Sequence, residues 1–187
     1  MCSDIRNLTK TKMDKFDLIV SELLGSFGDN ELSPEIIQIA EKFLNKDGKI
    51  IPQKYTSFLA PVSDETLWNK IENINISPES PKGSLYEMAI VSNLYKKEYF
   101  SEPKECYEFC HPLTKDDDLS KYCKLSFTAK ASNKLDGFAG FFSAVLFDKI
   151  DLSINPQNYT KNMMSWFPMF FPLNVLSFLN FLAKVNF

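Results

Sequence analysis

Apolar residues follow two different rhythms along the chain, and the change falls near Tyr86. Phe16 to Val20 (FDLIV) is a short, nearly continuous apolar run, the pattern of a strand buried on both faces in a parallel sheet. Ser33-Pro34-Glu35 is a helix start, with Ser at the N-cap, Pro at the first helical position and an acid in the first turn. Ile36, Ile37, Ala40, Phe43 and Leu44 then recur at helical spacing, and Gly48 is placed to end that helix. Ile50 to Val62 reads as strand or extended chain, Glu65 to Ile74 as a short helix, and Ser77 to Gly83 (SPESPKG) as a Pro-rich connector. Beyond Tyr86 the runs alternate or are rich in aromatics: Met88 to Tyr95, Cys123 to Ala129, Gly137 to Phe147 and Asp151 to Ile154, separated by polar turns. The pattern predicts the end of an α/β unit followed by an antiparallel β region, a sandwich or barrel, with the boundary between Ala60 and Tyr86.

Met163 to Ala183 carries no charge over 21 residues, long enough to span a bilayer. Pro168, Pro172, Asn174 and Asn180 interrupt it, so strands facing a core suit its first half better than a membrane span. The closing NVLSFLNFLAKVNF has helix-like spacing, leaving helix or strand open.

Composition narrows the class. At 187 residues, 44% hydrophobic and 14% aromatic, the chain has enough apolar mass for a buried core. A net charge of −3 gives no basic footprint for nucleic acid. The N-terminal MCSDIRNLTKTKMDKFD has no apolar core of a signal peptide, so reduced thiols in the cytoplasm, the nucleus or both are expected. Cys106-x3-Cys110-His111 with Cys123 downstream matches no usual zinc spacing, and ordinary thiols, with no metal, are expected.

The candidate chemistry lies between the first strand and the first helix. In SELLGSFGDNEL, Glu22 and Glu31 stand nine positions apart around Gly25 and Gly28. Glu22 follows the FDLIV strand closely, so it emerges where open α/β sheets place their ligand crevice. The glycines let the loop turn back and bring Glu31 toward Glu22. Two such carboxylates can share a proton as an acid–base pair, bind a metal with Asp29 and Asn30, or grip a planar cation bidentately. A solvated acidic loop is the plain alternative.

SELLGSFGDNELSPE resembles the double-glutamate loop of protein arginine methyltransferases, in the wording of the symmetric (type II) branch. The resemblance continues in order through FLNKDGKIIPQKYTSFLAPV, CHP at Cys110 to Pro112, KYCKLSF, LDGFAGFF, LSINP and MSWFPMFFP. It implies the C-terminal end of a Rossmann-like methyl-donor domain over residues 1–62, then an incomplete antiparallel β-barrel for substrate and dimerisation over 63–172. Residues 173–187 are expected to be a divergent apolar tail. The resemblance implies that Glu22 and Glu31 clamp a substrate arginine, that Ser165 and Trp166 close over it, and that Asp4, Ile5 and Glu22 meet the donor, S-adenosylmethionine. Asymmetric members carry His where this chain has Ser165. The six glycines form no GxGxxG-like run, so most of the donor site is expected outside this sequence. Arg/Gly-rich proteins such as histones and splicing factors are the implied substrates, with a homo-oligomer and an adaptor as implied partners.

Overall fold

The computed structural model describes residues 3–8, 14–74, 82–94, 97–113, 119–180 and 182–186. Strand β1 (Phe16–Val20) pairs in parallel with β2 (Leu44–Ile51), and the backbone N–H of Ser21 extends that ladder to the Ile51 carbonyl at 2.9 Å. Between them runs α1 (Ser33–Ala40), which buries Ile37 against Leu44 and Ile50, with Ile19 packed on the same small core. This is the α/β end of the molecule.

Strand β3 (Lys54–Ser63) opens the second unit, and α2 (Glu65–Glu72) follows it, capped by the Asp64 carboxylate, which accepts from the Leu67 N–H at 3.0 Å. The remaining strands are β4 (Ile90–Val91), β5 (Glu98–Tyr99), β6 (Lys104–Cys110), β7 (Ser126–Thr128), β8 (Asn133–Phe147), β9 (Ile150–Ser153), β10 (Met169–Leu179) and β11 (Lys184–Asn186). Six of them join β3 in a seven-stranded antiparallel sheet along the path β4-β10-β8-β3-β5, with β6 also on β3 and β9 on β8. Among the described residues that path does not close, so the barrel is incomplete. Its core is aromatic: Tyr55, Phe109, Phe141, Phe142 and Phe170 are almost wholly buried, each worth about 1.5–3 kcal/mol of hydrophobic transfer.

Three expectations are corrected and one left open is decided. First, β1 is not buried on both faces. Phe16, Leu18 and Val20 are 44%, 51% and 68% exposed, because the α/β unit here is two strands and one helix, with a layer on one side of β1 only. Second, the residue before the helix is Leu32, in the left-handed region at φ 60°, and Ser33 is its first helical residue, buried rather than capping. Third, Gly48 does not end the helix. That helix stops at Ala40, passes through a 3₁₀ turn, and Gly48 lies inside β2, where a Cβ would press to 2.6 Å from the Leu44 side chain. The closing stretch, open between helix and strand, is strand. β10 continues to Leu179, and Lys184–Asn186 pairs with β7, because Phe127 and Val185 face each other across that ladder and bury together. No described helix is long and apolar enough to cross a membrane. Most of the Ser77–Gly83 connector lies outside the described residues.

Candidate functional site

The loop between β1 and α1 is built as a tight hairpin. Gly25 and Gly28 exchange backbone hydrogen bonds at 3.1 and 2.9 Å, which folds Ser26 and Phe27 into a two-residue tip. Gly28 has φ +89°, a conformation that residues with a Cβ rarely adopt. Asn30 holds the hairpin from inside, its Oδ1 accepting from the Phe27 N–H at 2.7 Å while its amide fills the space a Cβ on Gly25 would need. Sequence reasoning weighed Asn30 only as a metal ligand; its enrichment in turns was the available signal.

The barrel grips this loop at three points. The Ser57 hydroxyl donates to the Phe27 carbonyl at 2.6 Å, the Trp166 indole N–H donates to the Leu24 carbonyl at 2.6 Å, and the Phe27 ring meets Phe171 edge-on with centroids 5.3 Å apart. Trp166 is itself braced by Phe142, ring to ring at 5.7 Å. Trp166 adopts φ 59° and Leu32 φ 60°, at a cost of about 1–2 kcal/mol each, so left-handed backbone is held on both sides of the loop.

The result is one open cavity of about 360 Å³. Glu22, Glu31, Ser165 and Trp166 all line it, and Leu24 and Phe167 add apolar wall. The four residues come from positions as far apart as 22 and 166, and the fold brings them together. Glu22, Glu31 and Ser165 are exposed, and no described residue hydrogen-bonds or ion-pairs with either glutamate. Asp29 lies just behind. Burial pushes its carboxyl pKa up, and Tyr107 reaches it with a long hydrogen bond of 3.3 Å to each oxygen. A cavity with two unpartnered carboxylates, flat aromatic sides and no lining cation suits a planar cation. A guanidinium offers such a cavity N–H donors for the carboxylates and a flat face for the aromatic walls.

Asp4 and Ile5 lie elsewhere. Asp4 caps a short 3₁₀ turn over Ile5–Asn7 that packs on α1, and its carboxylate binds the Arg6 guanidinium at 2.6 Å. Those hydrogen bonds hold Asp4 down to a pKa of about 2. Neither residue lines the cavity, so of the three side chains assigned to the donor only Glu22 is at the site. The cysteines do not converge with His111 either: no group of three or more His, Cys, Asp or Glu is gathered as for a metal among the described residues.

A family model described as the PRMT5 oligomerisation domain matches residues 54–187, and one described as PRMT5 arginine-N-methyltransferase matches residues 1–51. The chain belongs to the PRMT5 family. Protein arginine N-methyltransferase 5 of Xenopus laevis is 44% identical to it over 162 residues, covering 86% of this chain and 25% of the relative. The Drosophila melanogaster protein of the same name is 40% identical over 156 residues, with 83% and 25% covered. Protein arginine N-methyltransferase skb1 of Schizosaccharomyces pombe is 33% identical over 174 residues, with 85% and 27% covered. The chain thus spans about a quarter of the length of these PRMT5 relatives. A solved Trypanosoma brucei PRMT1 enzyme-prozyme heterotetrameric complex with AdoHcy superposes with a TM-score of 0.76 at 16% identity, over 98% of this chain and 59% of that one. That likeness establishes the methyltransferase-type fold of this PRMT5 family member.

Proposed function

We propose that this chain carries the arginine-holding part of a protein arginine N-methyltransferase. The supporting observation is the convergence of Glu22 and Glu31, unpartnered by any described residue, with Ser165 and Trp166 around one cavity. S-adenosylmethionine supplies the methyl group, and everything else here concerns the acceptor. A protonated guanidinium is a poor nucleophile because its charge is delocalised over three nitrogens. Two carboxylates draw that charge toward the nitrogens they bind and leave the remaining one richer in electron density. The Trp166 and Phe167 side chains form the walls against which the plane of the group is fixed. The contribution is orientation and electrostatics, with no covalent intermediate.

Symmetric dimethylation is the finer reading, supported by Ser165, a small uncharged residue at the cavity. Arg/Gly-rich proteins such as histones and splicing factors fit a cavity that takes a single arginine side chain. The family match named for oligomerisation supports a homo-oligomer. An adaptor as a further partner of the whole protein, and a place in the cytoplasm, the nucleus or both, belong to the same proposal. The same match supports a second reading, a non-catalytic module that keeps the β region for assembly.

The test is methyl transfer from S-adenosylmethionine to an Arg/Gly-rich peptide by the full-length protein, comparing wild type with Glu22→Gln and Glu31→Gln. Loss in both variants, with symmetric dimethylarginine as the wild-type product, is expected. Unchanged transfer would sink the clamp, and an inactive but oligomeric wild type would favour the module.

A further inference from the structure

A second cavity, of about 270 Å³, lies against Phe27. Phe27, Leu59, Tyr107 and Phe171 line it together with two thiols, Cys106 and Cys123. The first thiol is placed there by a defect in the β3–β6 ladder. Ser57 pairs with Tyr107 and the next residue, Phe58, pairs with Glu105, so Cys106 is the extra residue of a bulge. A bulge re-aims the side chain it inserts. Cys123 comes from the segment before β7, between the exposed Tyr122 and Lys124. The two thiols line the same cavity, and neither is in a disulfide.

We propose that Cys106 and Cys123 form a dithiol modification site that closes to an intramolecular disulfide by exchange with a small-molecule disulfide such as oxidised glutathione. The Cys123 thiolate attacks one sulfur of the reagent, forming a mixed disulfide and expelling one glutathione thiolate. Cys106 then attacks the Cys123 sulfur, gives up its proton, and releases the second glutathione. The protein loses two electrons and two protons, and the reagent gains both as two thiols. The order follows from environment: burial pushes the Cys106 thiol pKa up and keeps it protonated, so it serves as the resolving thiol. The bond ties β6 to the segment before β7 directly beneath the acidic loop, since Tyr107 follows Cys106 and hydrogen-bonds Asp29.

Cys110 is the internal control. It lies at the far end of β6, exposed, with its thiol donating to the Glu108 carboxylate at 3.2 Å, and does not line the cavity. The native chain is incubated with excess oxidised glutathione, quenched in acid, alkylated, and weighed without reduction. The expected result is a loss of two hydrogens and a tryptic link between residues 105–115 and 122–124. Fragmentation should place it at Cys106, and Cys110→Ser should retain it. Cys106→Ser should leave a persistent glutathione adduct on Cys123. A link at Cys110, or adducts and alkylated thiols with no link, would overturn the proposal. Fragmentation of the wild-type link decides between the cysteines even where Cys106→Ser fails to fold.

Discussion

Two pairs of carboxylates occupy opposite environments in this chain. Glu22 and Glu31 are exposed on the cavity, with no described partner. Asp64 and Asp136 are fully buried where β3 ends beside β8. The Asp64 carboxylate caps α2, and Asp136 accepts from the Ser63 hydroxyl at 3.1 Å. Both pairs are acids brought together by folding, so proximity alone does not distinguish them. What differs is that each buried acid gives one oxygen to a hydrogen bond within the fold, its other oxygen being buried without a partner among the described residues, whereas the loop acids give none. The buried pair is committed to holding the fold, while the loop pair is held in position by neighbours that bind the backbone and leave the carboxylates unused. Backbone anchoring with idle side chains is the arrangement expected of a site that waits for a ligand.

Isosteric amides separate the pairs most strongly. In the full-length protein, Glu22→Gln and Glu31→Gln should each lower methyl transfer by about 10²–10³-fold, the scale for losing one preorganised electrostatic contact. The unfolding midpoint should barely move, since exposed changes stay within about 0.5 kcal/mol. A large loss of stability in either glutamine variant would place these acids with the buried pair and break the distinction. Next in size is Gly140→Ala, which attacks the anchoring rather than the acids. A Cβ there would stand 2.7 Å from the Phe27 ring and 2.8 Å from the Phe171 ring. Overpacking of this kind costs about 1–3 kcal/mol, read as a lower denaturant midpoint. Arginine-peptide binding should weaken with it, because Phe27 is the tip of the acidic loop. Binding unchanged beside lost stability would show that the loop does not depend on its seat.

The same distinction explains what could be read from the amino-acid order. The FDLIV strand, the α2 helix and the turn at Gly25 and Gly28 were legible because their signals are local. The gathering of Glu22 with Ser165 was legible only through the family resemblance, because no spacing rule links residues 142 to 143 positions apart, such as Leu24 and Trp166. Gly48 misled because a glycine after a helical pattern resembles a stop. Here it is required by the Leu44 side chain folding over β2. The end of β10 and all of β11 were left open because their partners, β8 and β7, lie far earlier in the chain. Strand β6 was missed altogether. Its sequence, KECYEFC, alternates charge with half-buried aromatics, and its bulge breaks the period of two.

The buried pair supplies the smaller tests. Asp64→Ala removes the cap from the Leu67 N–H and should cost about 1 kcal/mol, with no effect on arginine binding. An equal loss of binding would mean that the two acid pairs communicate.

The smallest effect is a slope rather than a drop. Burial raises the Asp136 carboxyl pKa, with the Ser63 hydroxyl opposing that shift. A carboxyl whose folded pKa lies above its unfolded value binds its proton more tightly when folded. Its contribution is therefore present below the unfolded pKa, near 3.9 for a free aspartate, and is lost as pH rises through the raised folded value. Asp136→Asn keeps the shape and an acceptor for Ser63 but cannot ionise. Denaturant unfolding of both proteins across the acid range should show the variant gaining on wild type as pH rises, with the gap constant once Asp136 is ionised in both states. A pH-independent gap for Asp136→Asn would mean that this aspartate is ionised in the fold as easily as outside it, and that burial alone does not divide the two pairs.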